Sequence, residues 1–178
     1  MEGYVLDYVD ILQDKQFLYD VMCAEEQYLY STKLQFFLMQ SFECWLSERL
    51  KNEFHDFFII RASDLTEPLG YVHNYDFSLI DGHCKLVVYI IPKYRETGLG
   101  GVAAITFMKR LFEMYPLRKL YSTIYDYNKE SLSSNLAAGF CEEGNLLDYR
   151  YYDGEYHSIH YLSISRQQFE KTIGKLVK

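Results

Sequence analysis

One stretch restricts this chain more than any other: Val87-Val88-Tyr89-Ile90-Ile91-Pro92-Lys93-Tyr94-Arg95-Glu96-Thr97-Gly98-Leu99-Gly100-Gly101. An apolar, β-branched strand stops at a proline and a polar turn follows. Val102–Phe112 then reads as a helix. A glycine-rich turn between strand and helix leaves several backbone N–H groups without partners. The helix dipole adds positive potential there, so the turn suits a phosphate or pyrophosphate. Glycine permits close backbone approach and positive φ.

Two nucleotide patterns compete for the turn. From Gly98 it fits G-x-G-x-x-A (Gly98, Gly100, Ala103), with Asp126 about where a ribose-binding acid belongs in a dinucleotide fold. From Arg95 it fits R-x-x-G-x-G. The Walker pattern G-x-x-x-x-G-K-[ST] is absent.

The flanking chain favours the second pattern. Phe57–Ile60 and Gly70–Phe77 pair as one antiparallel hairpin, and Gly70–Phe77 and Cys84–Ile91 as another, with Asp81-Gly82 as a turn signal. A dinucleotide domain would instead begin with its glycine-rich turn and alternate strands with helices. Downstream, Asn128, Ser131 and Gly139-Phe140 fall into N-x-x-S-x7-GF. The segments Phe140–Leu146 and Tyr152-Asp153-Gly154-Glu155-Tyr156 fit GF-x-x-EG-x-L and DG-x-Y.

These three ordered motifs, over roughly residues 55 to 165, resemble the GNAT superfamily of CoA-dependent N-acetyltransferases. The closest pattern is that of the ribosomal-protein-acetyltransferase-like (RimJ/RimL-type) branch. The resemblance implies an α+β fold: a mixed, mostly antiparallel sheet of about seven strands, flanked by helices, with the fourth and fifth strands splayed. It implies acetyl-CoA as co-substrate and no metal. It gives Ile90 and Ile91 as backbone partners of the pantetheine, and Ile90 as the oxyanion donor. Arg95, Thr97, Gly98, Leu99, Gly100 and Gly101 become the pyrophosphate loop. Asn128 belongs near the pantetheine arm, and Ser131 is either a cofactor contact or a helix N-cap. Tyr125, Tyr127 and Ser134 fall near the thioester.

The chain departs from the family twice. A tyrosine that protonates the leaving thiolate in many members is here Asn135. The strand glutamate that often serves as base aligns with Lys85, whose ordinary pKa of roughly 10.4 makes it a poor base at neutral pH. The base is open, with His83, His73 and Glu155 as candidates. His157 and His160 are three apart on a strand and face opposite sides, which argues against a shared zinc.

A coarse reading of the rest places a strand at Tyr4–Ile11 and helices at Lys15–Glu25 and Thr32–Asn52, the second carrying Phe36, Phe37, Phe42, Trp45 and Leu46. Ser131–Ala138 is a short helix, Leu146–Tyr152 with Tyr156–Ser165 a last hairpin, and Arg166–Leu176 a final helix capped by Ser165. Residues 1–178 are expected to form one domain. The net charge of −7 disfavours nucleic acid and suits a cationic or neutral acceptor, either a small amine or a protein N-terminus. Four cysteines without C-x-x-C spacing suit a reducing compartment. With neither a signal-peptide pattern nor a membrane-length apolar run, the expectation is a cytoplasmic protein without membrane contact, monomeric or homodimeric. An acyl-CoA-binding module with little or no catalysis is the alternative, motivated by Asn135 and Lys85.

Overall fold

A computed structural model describes residues 3–23, 28–29, 38–64 and 67–176. The elements are β1 (Tyr4–Tyr8), α1 (Ile11–Cys23), α2 (Met39–Leu50), β2 (Phe57–Ala62), β3 (Pro68–Ser78), β4 (His83–Ile90), α3 (Leu99–Met114), β5 (Lys119–Tyr125), α4 (Lys129–Ala137), β6 (Cys141–Tyr152), β7 (Glu155–Ser165) and α5 (Arg166–Leu176). The seven strands form one mixed sheet in the order β1-β2-β3-β4-β5-β7-β6. Only β4 and β5 are parallel among the recorded pairings, which run His83↔Lys119, Cys84↔Leu120, Lys85↔Tyr121. The register stops there, although β4 continues through Leu86 to Ile90.

The chain divides into two compact units. The first holds β1, α1, α2, β2, most of β3, Leu86–Ile90 of β4 and the start of α3. Its core is Leu18, Phe42, Leu46, Phe58, Ile59, Ile60, Tyr71, Val72, Ala103 and Phe107, all 3% exposed or less. Arg61 on β2 is buried between Asp7 (3.0 Å) and Asp14 (2.5 Å), which ties α1 to the β1–β2 pair. The second unit holds His83–Lys85, the rest of α3, β5, α4, β6, β7 and α5 around Leu111, Leu120, Leu162 and Ile164.

Several boundaries differ from expectation. β1 ends at Tyr8, because Asp10 starts α1 early: its carboxylate accepts from Leu12 N–H, and its own N–H donates to Asp14 Oδ2. α1 therefore begins four residues before Lys15, while Ala24 and Glu25 lie outside the described residues, as do Phe36 and Phe37. β6 begins at Cys141, five residues before Leu146; its outward-facing residues hide the apolar alternation that marks a strand. The last hairpin turns at Asp153-Gly154, both with positive φ (48° and 89°), as in a type I′ turn. In α5, Ser165 Oγ accepts from Gln168 N–H while Gln168 Oε1 accepts from Ser165 N–H, a reciprocal cap.

Candidate functional site

The glycine turn lies in the first unit. Pro92–Tyr94 forms a single 3₁₀ turn that ends β4, and Arg95 returns its Nε–H to Ile90 O at 3.0 Å. Its guanidinium sits 5.5 Å from the Tyr89 ring. Glu96 and Gly98 both take positive φ, 62° and 83°. Thr97 Oγ1–H donates to Tyr94 O at 2.8 Å, and the same oxygen lies 3.4 Å from Leu99 N as its acceptor. The hydroxyl thus occupies one amide at the start of α3. A Cβ added at Gly98 or Gly101 would meet nothing within 4 Å, whereas one at Gly100 would stand 3.4 Å from Ile90 Cγ1. The first turn of α3 has N–H groups with no carbonyl four residues back, and open space surrounds two of its three glycines. This donor set fits a phosphate.

The two isoleucines differ. Ile91 N–H donates to Leu69 O at 2.9 Å, so its amide belongs to β3. Strand alternation sends Ile90's backbone groups to the opposite edge, where Ile90 O takes the Arg95 bond. Ile91 O accepts from Tyr94 N–H at 3.0 Å, so both backbone groups of Ile91 are engaged and Ile90 N–H is the group that faces a ligand.

The second unit supplies the residues after β5. Asn128 N–H donates to Tyr125 O at 3.0 Å, which closes a tight turn with Asp126 and Tyr127 at its corners. Asn128 Oδ1 accepts from Ser131 N–H at 3.3 Å and caps α4. The capping role considered for Ser131 falls to Asn128 instead, because Ser131 already lies inside the first turn. Asn135 Nδ2–H donates to Ser131 O at 2.8 Å, so its amide is occupied within α4. Ser134 is exposed on the same helix.

Tyr125 is 2% exposed and packs beneath Arg150, whose guanidinium carbon is 4.2 Å from its ring centroid. Arg150 Nη1–H donates to Tyr28 O (2.8 Å) and to Tyr127 Oη (3.2 Å), and Tyr127 Oη–H donates to Tyr28 O. Burial raises the Tyr127 phenol's pKa, against the lowering pull of Arg150. Tyr28 and Tyr152 stack at 5.1 Å.

The candidate bases separate on geometry. His73 is buried against His55, and burial lowers its pKa to about 3. His83 opens β4 at the end paired with Lys119, seven residues from Ile90, roughly 23 Å of strand. Lys85 pairs with Asp76 at 2.9 Å. Glu155 is exposed and stands 3.8 Å from His157 Nε2.

His157 itself carries the arrangement that spacing does not reveal. Its Nδ1 is 2.9 Å from Asp126 Oδ1, and Asp126 Oδ2 accepts from Ser158 N–H at 2.9 Å. Burial would raise the Asp126 pKa, but the Ser158 amide and His157 outweigh it and hold the carboxyl below its ordinary range. His160 turns the other way, to Glu142 at 2.8 Å. Asp126 and His157 are 31 residues apart and meet only because β5 and β7 pair; the sole sequence cue was an acid at the end of a strand. Among the described residues no group of three His, Cys, Asp or Glu could hold a metal, and no helix is long and apolar enough to cross a membrane.

Comparison with known proteins agrees on one class. No protein-family model matches the chain. A sequence relative, "SPbeta prophage-derived uncharacterized N-acetyltransferase YokL" of Bacillus subtilis (strain 168), is 25% identical over 131 residues, 73% of this chain and 72% of the relative. Among solved structures, spermidine N-acetyltransferase from Vibrio cholerae in complex with CoA and spermine superimposes with a TM-score of 0.85 at 16% identity, covering 94% of this chain and 98% of that one. A chimera of that enzyme, SpeG, with hSSAT gives 0.83 at 16% identity over the same shares. The chain has the fold of the GNAT N-acetyltransferases, a class of acyltransferases. The mixed seven-stranded sheet expected from the motifs is the sheet observed.

Proposed function

We propose that this chain is a CoA-dependent N-acetyltransferase that moves an acetyl group from acetyl-CoA to a primary amine within a ternary complex, the whole chain acting as one catalytic domain. The observation that carries this reading is the turn after β4. Gly98 takes a φ of 83° with open space around it, and the amides of the first turn of α3 follow directly. Gly98, Gly100 and Gly101 offer N–H donors to the pyrophosphate, while Thr97 and Arg95 brace the loop rather than bind through their own charge or hydroxyl. Leu99, 8% exposed, anchors α3 beneath it.

Ile90 N–H is the donor for the oxyanion that forms as the amine attacks the thioester. Asn128 and Ser131 are the proposed contacts of the pantetheine arm. Asn135 does not serve as the thiolate's acid, since its amide is held by Ser131, and buried Tyr125 packs beneath Arg150. The acceptor is a small primary amine. The polyamine enzymes with the same fold support this, as does the chain's net charge of −7. A protein N-terminus, the acceptor of the RimJ/RimL-type branch, is the second reading and rests on asparagine at 135 in place of tyrosine. A cytoplasmic location accompanies either.

Calorimetric titration with acetyl-CoA, with NAD as control, tests the reading. We expect saturable binding of acetyl-CoA, weak or no binding of NAD, and at least a tenfold loss with Gly100→Trp, whose side chain would collide with Ile90. Absence of binding at millimolar acetyl-CoA overturns it. Binding without turnover on any amine would favour an acyl-CoA-binding module.

A further inference from the structure

We propose that His157 is the general base that takes the proton from the acceptor ammonium, that Asp126 positions it, and that Glu155 draws the cationic acceptor toward it. The inference deepens the N-acetyltransferase reading and rests on it. No sequence motif marks these residues as a set; the β5–β7 pairing and the turn after β5 bring them together.

The geometry sets the tautomer. Asp126 Oδ1, 2.9 Å from His157 Nδ1, accepts its proton, so Nε2 carries the lone pair. Asp126 cannot swing away, because its other oxygen is bonded to Ser158 N–H. The imidazole ring packs against Tyr127, T-shaped at 4.8 Å and 88°, and against Tyr152 at 6.1 Å. His157 is 13% exposed on its side chain, so the ring is fixed but reachable. Nε2 faces Glu155 Oε1 at 3.8 Å, and that carboxylate is largely in solvent. A cation seated there meets a negative charge and a base together.

The dyad adjoins the turn that leads into α4. Asp126 and Tyr127 are the corners of the turn that Asn128 closes, and Asn128 caps α4. The charged and titratable groups facing His157 are Asp126 from the end of β5, Tyr127 from the turn, Tyr152 and Arg150 from β6, and Glu155 from its own strand. Arg150 lies opposite His157 in the β6–β7 register, but its Nη1 is committed to Tyr28 O and Tyr127 Oη.

The step balances as follows. The acceptor R–NH3⁺ gives one proton to His157 Nε2. Its freed lone pair forms the C–N bond at the thioester carbonyl. The second N–H proton leaves as the C–S bond breaks and ends on the CoA sulfur, and His157 returns its proton to water. The products are the acetamide, CoA thiol and one proton.

The experiment measures CoA release from acetyl-CoA with spermidine, glucosamine and a short peptide bearing a free N-terminus. It compares the wild-type protein with His157→Gln, Asp126→Asn and His157→Gly. Acetyl-CoA affinity by calorimetry and the thermal midpoint serve as controls on folding and on the cofactor site. We expect His157→Gln to lower kcat/KM about 100-fold, within the usual range for a lost general base, and to abolish the acidic limb of its pH profile, with acetyl-CoA affinity within twofold of wild type. Asp126→Asn should cost about tenfold, because the carboxylate that holds the proton on Nδ1 and fixes the ring is gone. Added imidazole should restore part of the rate to His157→Gly, which a purely structural role would not produce. A His157→Gln protein with wild-type rate and pH profile overturns the base and leaves the enzyme standing. Wild-type protein that binds no acetyl-CoA overturns both. Wild-type protein that binds acetyl-CoA but releases no CoA with any amine removes the base in favour of a binding module.

Discussion

At the scale of single residues, Gly70 shows how tightly β3 and β4 pack before the glycine turn begins. A Cβ at this position would lie 2.0 Å from Tyr89 O and 3.1 Å from Ile90 Cα, both backbone atoms that cannot rotate away. Glycine here is required by space and not by φ. Gly70→Ala should therefore displace β4 just where Ile90 offers its amide. We expect a loss of about 2–4 kcal/mol in urea unfolding, in the range of severe overpacking, together with weaker acetyl-CoA binding. An alanine variant of wild-type stability would show that β3 yields without moving β4. This requirement was invisible in the sequence, where Gly70 read only as the first residue of the strand Gly70–Phe77. The glycines at 98, 100 and 101 were legible because their spacing forms a pattern, whereas Gly70 has none. His157 was equally hidden: its partner is 31 residues away, and only the strand pairing reveals it.

At the scale of elements, the strands and helices whose signals are local were read correctly. The hairpin turning at Asp153-Gly154, the helix that follows the glycine turn and the end of the short helix near Ala138 follow from turn and cap chemistry within a few residues. Gly139 takes a φ of 95°, with Phe140 N–H bonded to Asn135 O and Gly139 N–H to Leu136 O, a Schellman stop. The start of β6 was missed because its exposed side chains carry no alternation, and the start of α1 because its cap is an aspartate bonding its own neighbours. The N-terminus of α4 separates two roles that one residue holds. Asn128 caps the helix, and it also stands where the pantetheine arm is proposed. Asn128→Ala should cost about 1 kcal/mol in unfolding free energy through the lost cap. Asn128→Ser should restore most of that stability, since serine caps as well. If Asn128 also binds the cofactor through its amide, the serine variant will recover stability without recovering acetyl-CoA affinity. Equal recovery of both would reduce Asn128 to a cap.

At the scale of the whole molecule, response to acid depends on a pair of histidines outside the proposed site. His55 Nε2 and His73 Nδ1 are 3.4 Å apart, His55 Nδ1 lies 3.3 Å from Arg49 O, and His73 Nδ1 lies 3.2 Å from Asn74 O. The two carbonyls can only accept, so each Nδ1 carries a proton and His55 Nε2 is the acceptor between the rings. A proton on that nitrogen would set two N–H groups against each other. Burial first, then Arg49, lowers the His55 pKa to about 4; burial and then His55 lower that of His73 to about 3. The unfolded chain protonates both near the ordinary value of 6.5. Between pH 6.5 and 4 the unfolded state therefore binds more protons, and stability falls as pH falls. The contribution is complete above pH 6.5 and is lost progressively below it. Each excess proton costs about 1.4 kcal/mol per pH unit, so two histidines set a limiting slope of about 2.7 kcal/mol per unit. The carboxyls of Asp126 and Glu143 are also held below their ordinary values. Their contribution is present above the ordinary carboxylate pKa of roughly 4 and fades only below it, so they do not act in this window. Urea unfolding at pH 7, 6, 5 and 4.5 should show the decline, and His55→Gln combined with His73→Gln should flatten it even while lowering stability at pH 7. A double variant with the wild-type slope would place the acid sensitivity elsewhere. Because the proposed base, His157, belongs to the second unit and both rings belong to the first, the pH dependence of catalysis and that of folding should separate: His157→Gln should alter the first alone, and the double variant the second.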